Sequence, residues 1–132
     1  MPVAPTRQQL VGREAERAVA ERLAMAGWRT LATNVRVGRG ELDLIAIDPG
    51  PPAELVVVEV RWRRRRDFGL AEETLDRRKR LALRRAIGTL LATGALPDGT
   101  GLPRLSVRVD LVAVDLDASG RPSVRHHRGI RL

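Results

Sequence analysis

The stretch Gly40–Arg63, GELDLIAIDPGPPAELVVVEVRWR, decides how this chain folds. Two runs rich in Val, Ile and Leu flank Asp48–Pro52 (DPGPP), a strong turn signal. The pattern predicts two antiparallel strands, Glu41–Asp48 and Glu54–Arg63. Pairing Asp48 with Glu54 across the turn sets the register, so that Ile45 faces Val57 and Asp43 faces Glu59. Opposed side chains lie about 4.5–5.5 Å apart on one face. A carboxylate among apolar strand residues is costly unless a cation or a full set of hydrogen bonds compensates it. Two carboxylates that close repel each other, a geometry that a divalent metal rewards. Alternation places Glu41, Asp43, Ile45 and Ile47 on one face and Leu42, Leu44 and Ala46 on the other. On the partner strand Val57, Glu59 and Arg61 share a face, opposite Val56, Val58, Val60 and Trp62. Asp43, Glu59 and Arg61 therefore converge on one patch.

Upstream of the hairpin, residues 1–6 read as a flexible end and residues 7–132 as a single domain. Thr6 is a suitable N-cap for a helix over Arg7–Ala26, and Gly27 a suitable stop. Val11, Ala15, Val19, Leu23 and Ala26 form its apolar face, with Glu16 on the edge of that face. Glu14 and Glu21 turn further towards solvent, so Glu16 is the helix carboxylate best placed to look inward. Gly12, one turn earlier, costs helix stability and implies a packing reason. Trp28–Asn34 is expected to be a short strand and Val35–Gly40 a turn.

Downstream, Arg63–Arg66 is a run of four arginines that begins where the second strand delivers Glu59 and Arg61. A basic rim beside a carboxylate patch suits a phosphate-backbone substrate, so Arg63, Arg64, Arg65 and Arg66 are candidate nucleic-acid contacts. A second helix is expected over Glu72–Thr93, with Gly94 as its stop and Leu75, Ala82, Leu83, Ala86 and Leu90 on its apolar arc. The chain's sole lysine, Lys79, falls inside that arc, which makes it either a snorkelling side chain or a phosphate contact. A Pro/Gly-rich connection (Ala95–Arg104), a strand (Leu105–Asp115), a turn (Asp117–Gly120) and a return strand (Pro122–His127) complete the chain. The order α-β-β-β-α-β-β indicates an α/β or α+β domain with a mixed sheet, and an α/β sheet flanked by helices is the expected fold.

Composition narrows the function classes. At 132 residues the chain is large enough for one core without staples. Cysteine is absent, which removes disulfides and thiolate zinc sites. No apolar run reaches the roughly 20 residues of a membrane span, and the N-terminus lacks a secretory h-region, so the expectation is a cytoplasmic protein. The net charge of +8 favours a polyanionic partner, chiefly nucleic acid. With no Tyr, one Phe and two Trp, a base-stacking platform for single strands is not expected. Neither a Walker motif nor a Gly-x-Ser-x-Gly elbow is present. The adjacent His126 and His127 would point to opposite strand faces and read as surface residues.

The remaining constellation is Asp43, Glu59 and Arg61 with Glu16 from the first helix. Carboxylates with water suit Mg2+ or Mn2+. Such a metal polarises a phosphodiester oxygen and acidifies a water. Arg61 would stabilise charge growing on the phosphate, as an electrostatic clamp rather than a base.

These residues carry a resemblance. An Asp…Glu-x-Lys pattern on a hairpin, preceded by a helical Glu, is the signature of the PD-(D/E)XK nuclease superfamily, which includes restriction endonucleases and archaeal Holliday-junction resolvases. More closely, GREAERAVAERLAMAGWRTLATNVRVGRGELDLIAID, LVVVEVRWRRRRDFG, DRRKRLALRRAIGTLLA and VRVDLVAV resemble the YraN family of small bacterial proteins. The resemblance implies a restriction-endonuclease-like fold and a metal held by Asp43, Glu59 and the Val60 carbonyl. It makes Glu16 the helix carboxylate and Lys79 a basic position on the second long helix. Arg61 stands where that superfamily usually has Lys, a residue that can also help deprotonate the attacking water. Three readings follow. The first is a Mg2+-dependent endonuclease acting on nucleic acid, DNA ahead of RNA, with branched DNA among the candidates. The second is a nucleic-acid-binding module that has lost catalysis, and the third an adaptor whose carboxylates are neutralised by Arg61. A homodimer is left open.

Overall fold

Thr6 closes the first helix in both directions. Its hydroxyl accepts from the Gln9 N–H at 3.1 Å, and the Gln9 side chain accepts from the Thr6 N–H at 2.9 Å. The computed structural model describes residues 3–64 and 69–132. Helix α1 spans Arg7–Met25 and ends where Gly27 takes a φ of +89°, as the glycine stop requires. Ala15, Val19 and Leu23 are buried as the apolar arc predicts, whereas Val11 is only half-buried and Ala26 is exposed. The reason for Gly12 is a close neighbour. A Cβ there would sit 3.3 Å from the Trp62 indole nitrogen.

A five-stranded sheet follows, with strands β1 (Arg29–Val37), β2 (Gly40–Asp48), β3 (Glu54–Arg64), β4 (Ser106–Leu116) and β5 (Pro122–His127) side by side in chain order. All neighbours are antiparallel except β3 and β4, which run parallel and need a crossover. That crossover holds a 3-10 turn, Ala71–Thr74, and helix α2, Arg77–Thr93. The hairpin register is the expected one, with Asp48 opposite Glu54 and Ile45 opposite Val57. The mixed sheet, its flanking helices and the order α-β-β-β-α-β-β are those expected from the sequence.

Each face of the sheet carries its own core. One face buries Leu44, Ala46, Val56, Val58 and Val112 against Ala15, Val19 and Leu23 of α1. The other buries Ile45, Leu55 and Val57 against Leu83, Ala86, Ile87 and Leu90 of α2. The α1 face also holds an ion-pair network. Asp110, fully buried, accepts from Arg108, from His126 at 2.7 Å and from the Gly129 N–H at 3.0 Å. Arg108 reaches Asp48 and Glu54 at 2.9 Å each and lies over the Trp28 ring.

Three sequence expectations need correction here. The Val35–Gly40 segment is not a turn. Strand β1 continues to Val37, whose neighbour across the tight Gly38–Arg39 turn is Gly40. The second helix is not continuous from Glu72. Leu75 leaves helical geometry (φ −87°, ψ 72°), and Asp76 opens a new helix by accepting from the Lys79 N–H at 2.9 Å. Leu75 is buried at that break, so its apolar character was read correctly and its helical register was not. Ala82, placed on the buried arc, is exposed, and Ile87 takes its place in the core. No helix among the described residues is long and apolar enough to cross a membrane.

Candidate active site

The β2–β3 ladder ends at Leu44 opposite Val58, one step short of the two carboxylates. Beyond it the strands diverge, and Asp43 Oδ2 accepts the Val60 main-chain N–H at 2.9 Å. The break extends into β1. Pairing passes from Thr33–Leu44 to Val35–Leu42, skipping Asn34 and Asp43. Asn34 has a φ of +49°, the single non-glycine residue with positive φ among those described. Asn tolerates this left-handed geometry better than most residues do, and such backbones gather at functional sites. The break also resets the alternation. Leu42 packs with Ile45 in the α2 core, not with Leu44 as strict period two predicts.

This fork opens a cavity of about 490 Å³. The two strands line it with Asp43, Glu59, Val60, Arg61, Trp62 and Arg63, α1 with Gln8, Gly12 and Glu16, and the crossover with Thr74 and Lys79. The Asp43, Glu59 and Arg61 patch expected from the hairpin thus shares one cavity with Glu16 and Lys79 from the two helices. Asp43 and Glu59 lie close enough in this cavity that the charge of Asp43 opposes the ionisation of Glu59. Burial, followed by the Asp43 charge, pushes Glu59 up to about 8. Burial likewise raises Asp43, against the hydrogen bond from Val60. Burial and the Asp43 charge raise Glu16 to about 7, against a hydrogen bond with the Asn34 side chain. Its Oε2 is buried without a hydrogen-bond partner. Buried polar atoms are almost always paired, which makes this oxygen a candidate ligand or proton acceptor.

Arg61 is anchored rather than loose. Its Nε donates to the Thr74 hydroxyl at 2.7 Å and its Nη2 to the Thr74 carbonyl at 3.3 Å. Its Nη1 reaches Glu59 Oε1 at 3.4 Å, a weak bond at that length. Lys79 corrects its sequence reading: it is exposed, and it meets the cavity from the first turn of α2 rather than from the buried arc. Of the arginine run, Arg63 lines the cavity and Arg64 ends β3, half-buried; Arg65 and Arg66 lie outside the described residues. His126 also corrects its reading as a surface residue. It is half-buried, bound to Asp110 and 5.6 Å from the Trp28 ring centroid. His127 is exposed and, on the opposite face, bonds Glu72 at 2.9 Å.

Sequence reasoning missed Asn34 and Thr74. An Asn within a run of strand formers is a usable sign of positive φ, but nothing near Thr74 marks it as a partner of Arg61.

The donor set fits a hard divalent cation. Mg2+ commonly uses one or two carboxylates and keeps several waters. Asp43 and Glu59 supply two carboxylates, and the unpaired Glu16 oxygen belongs to the same cavity. Among the described residues no group of three His, Cys, Asp or Glu side chains forms a ready-made cage. Val60 reaches Asp43 through its N–H.

A family model described as "Uncharacterised protein family UPF0102" matches residues 15–114, a span that includes every residue named above from Glu16 to Lys79. The chain belongs to this family. It is 40% identical to a UPF0102 protein of Moorella thermoacetica over 110 residues, covering 83% of this chain and 84% of that one. It is also 40% identical to a UPF0102 protein of Kineococcus radiotolerans over 120 residues, covering 91% and 92%. The YraN resemblance read from the sequence is to this same family. Among solved structures, the chain is similar to Pyrococcus furiosus SfsA in complex with Ca2+, with a TM-score of 0.41 and 16% identity. That match covers 95% of this chain and 65% of the other.

Proposed function

We propose that this protein is a metal-dependent nuclease that hydrolyses phosphodiester bonds in nucleic acid, DNA ahead of RNA, with branched DNA among the candidate substrates. One observation carries the reading. Two carboxylates meet at a sheet fork, in a cavity that also holds a third carboxylate with a partnerless oxygen and three cationic side chains, Arg61, Arg63 and Lys79. Asp43 and Glu59 would hold Mg2+ or Mn2+, which supplies Lewis acidity to polarise a phosphate oxygen and acidify a water. The chain's own groups do the rest. Arg61 faces charge that grows on the phosphate, and Glu16 Oε2 is an acceptor for a proton of the attacking water. Lys79 and Arg63 meet the flanking backbone.

The second reading, a binding module without catalysis, is favoured by Arg61 itself. Its bonds to Thr74 fix it in place, and a guanidinium does not take up a proton from water as a neutral amine can. A panel of single-stranded, duplex, flapped and four-way DNA plus RNA, with Mg2+, Mn2+ or chelator, decides between the two. Cleavage that requires metal supports the nuclease; salt-sensitive binding with no cleavage supports the module. In either case log affinity should fall linearly with log salt, with a slope of about 0.9 per duplex phosphate neutralised. Lys79→Ala and Arg63→Ala should each flatten that slope by up to about 0.9 and weaken binding to all sequences alike. An unchanged slope in the double variant removes both residues from the interface.

A further inference from the structure

The 3-10 turn between β3 and α2 is fixed at both ends by side chains. Glu72 takes Arg125 of β5 in a two-pronged pair, 2.7 Å on each oxygen, and Arg125 also binds Asp115. At the other end Thr74 holds Arg61, while its own hydroxyl donates to the Ala71 carbonyl at 2.6 Å. That donation orients the hydroxyl. With its hydrogen committed to Ala71, the Thr74 oxygen can only accept from Arg61 Nε. An Arg61 Nε–H can only donate, so what the bond to Ala71 adds is a fixed rotation of the Thr74 hydroxyl, which holds its lone pairs in one orientation for the guanidinium.

We propose that Thr74 is a positioning residue for Arg61, and that the turn anchored by Glu72 and Arg125 aims the guanidinium at one phosphate group in the cavity. The inference rests on the nuclease reading for the consequence of that aim, though not for the aim itself. A guanidinium has five N–H donors. Thr74 takes the Nε hydrogen and one on Nη2, and Glu59 takes one on Nη1, which leaves one on each terminal nitrogen. Two donors on adjacent nitrogens match two oxygens of a single tetrahedral phosphate. An arginine free to rotate would spend entropy to reach that pose at every encounter. Held by Thr74, it meets the phosphate already ordered. The same anchoring explains how an arginine serves at a position where a shorter-range, mobile lysine is usual. Its longer, planar head is useful only when its direction is fixed.

The test uses the full chain with Thr74→Val, which keeps the shape and removes the hydroxyl, and Thr74→Ser, which restores it. The first readout needs no substrate. The Nε–H resonance of Arg61, identified by its loss in Arg61→Lys, should be rigid and slow to exchange with water in the parent. It should become mobile and fast-exchanging in Thr74→Val and return to parental behaviour in Thr74→Ser. The second readout is kinetic. Thr74→Val should lower kcat by roughly tenfold to a hundredfold, with KM changed by less than about twofold. It should have no further effect in an Arg61→Ala background, because the two residues act as one unit. A parental Nε–H signal that is already mobile, or one unmoved by Thr74→Val, overturns the proposal. So does a kinetic loss of equal size with Arg61 absent, or a failure of Ser to rescue. If the parent cleaves nothing in the substrate panel, the nuclease reading fails, and the Nε–H readout still decides whether Thr74 sets Arg61.

Discussion

Asp43→Asn or Glu59→Gln is expected to lower cleavage by roughly 10²-fold or more while the protein stays folded, since each removes charge from the centre of the site. Both variants should also melt higher than the parent in metal-free buffer. The two carboxylates are buried against each other, so a neutral amide relieves repulsion and desolvation together. Millimolar Mg2+ should raise the melting temperature of the parent by mass action and leave both variants unmoved. The adaptor reading expects the reverse: no response to Mg2+, and destabilisation from either substitution because Arg61 loses its partner. Melting curves of three proteins with and without Mg2+ therefore separate a metal site from an ion-pair cluster before any substrate is known.

The pH dependence gives the same prediction a direction. Glu59 has a folded pKa raised from 4.5 to about 8, with burial the largest cause and Asp43 next. The folded state keeps a proton that the unfolded chain has released. Its contribution to stability is thus full below about pH 4.5 and declines as pH rises through 8. In metal-free buffer the parent should lose on the order of a few kcal/mol across that window, and Glu59→Gln should lose much less. Mg2+ competes with that proton, so the metal's stabilising effect should grow as pH rises through the same window. A parent whose stability is flat from pH 5 to 8, with or without Mg2+, would contradict the buried carboxyl pair itself.

The hairpin was legible because turn chemistry fixes register, and register brings Asp43 and Glu59 to within one step of the last paired rung. Asp48 opposite Glu54 is a local consequence of DPGPP, and everything as far as Leu44–Val58 follows by counting. The count fails where the site begins. Where the strands part at the cavity the ladder is abandoned, Leu42 changes faces, and β1 runs three residues past its expected end. Helix periodicity placed Glu16 correctly, since its face follows from buried Ala15 and Val19. It misjudged Lys79, because Leu75 was counted as a helical residue and is instead the buried anchor of a break. Thr74 and Asp110 were not legible. Their partners lie 13, 16 and 19 residues away or across the sheet, and no local pattern records which polar side chain will accept a distant arginine or histidine.

Asp110→Ala should be the most destabilising single substitution considered for this chain, by about 3–5 kcal/mol, a drop of roughly 10–20 °C in Tm for a domain of this size. Asp110 is fully buried and accepts four hydrogen bonds, two from Arg108 and one each from His126 and the Gly129 N–H. Removing it leaves the Gly129 N–H and the half-buried His126 without acceptors and a hole between Arg108 and His126. Arg108 keeps Asp48 and Glu54, so its charge is not abandoned, which places the expected loss towards the lower end of the range. Against burial, which pushes the Asp110 carboxyl up, the bonds from His126 and Arg108 hold it down at about 2, below its ordinary 3.8. A depressed carboxyl contributes stability that is complete above about pH 4 and disappears as pH falls through 2, worth about 2 kcal/mol for a shift of this size. Asp110→Asn keeps the shape and one acceptor, so it should fall between parent and Asp110→Ala at pH 7. Its stability curve should be flatter than the parental one between pH 4 and 2. The residue pairs with Val58, the last rung before the fork, but lies on the opposite sheet face from Glu59 and Arg61. Cleavage per folded molecule should therefore survive in Asp110→Asn even as the melting temperature drops. Denaturant titration at pH 7 checks the magnitude. A loss below about 1 kcal/mol in Asp110→Ala would mean that solvent reaches this network in the folded protein, and that the sheet's register rests on its apolar faces alone.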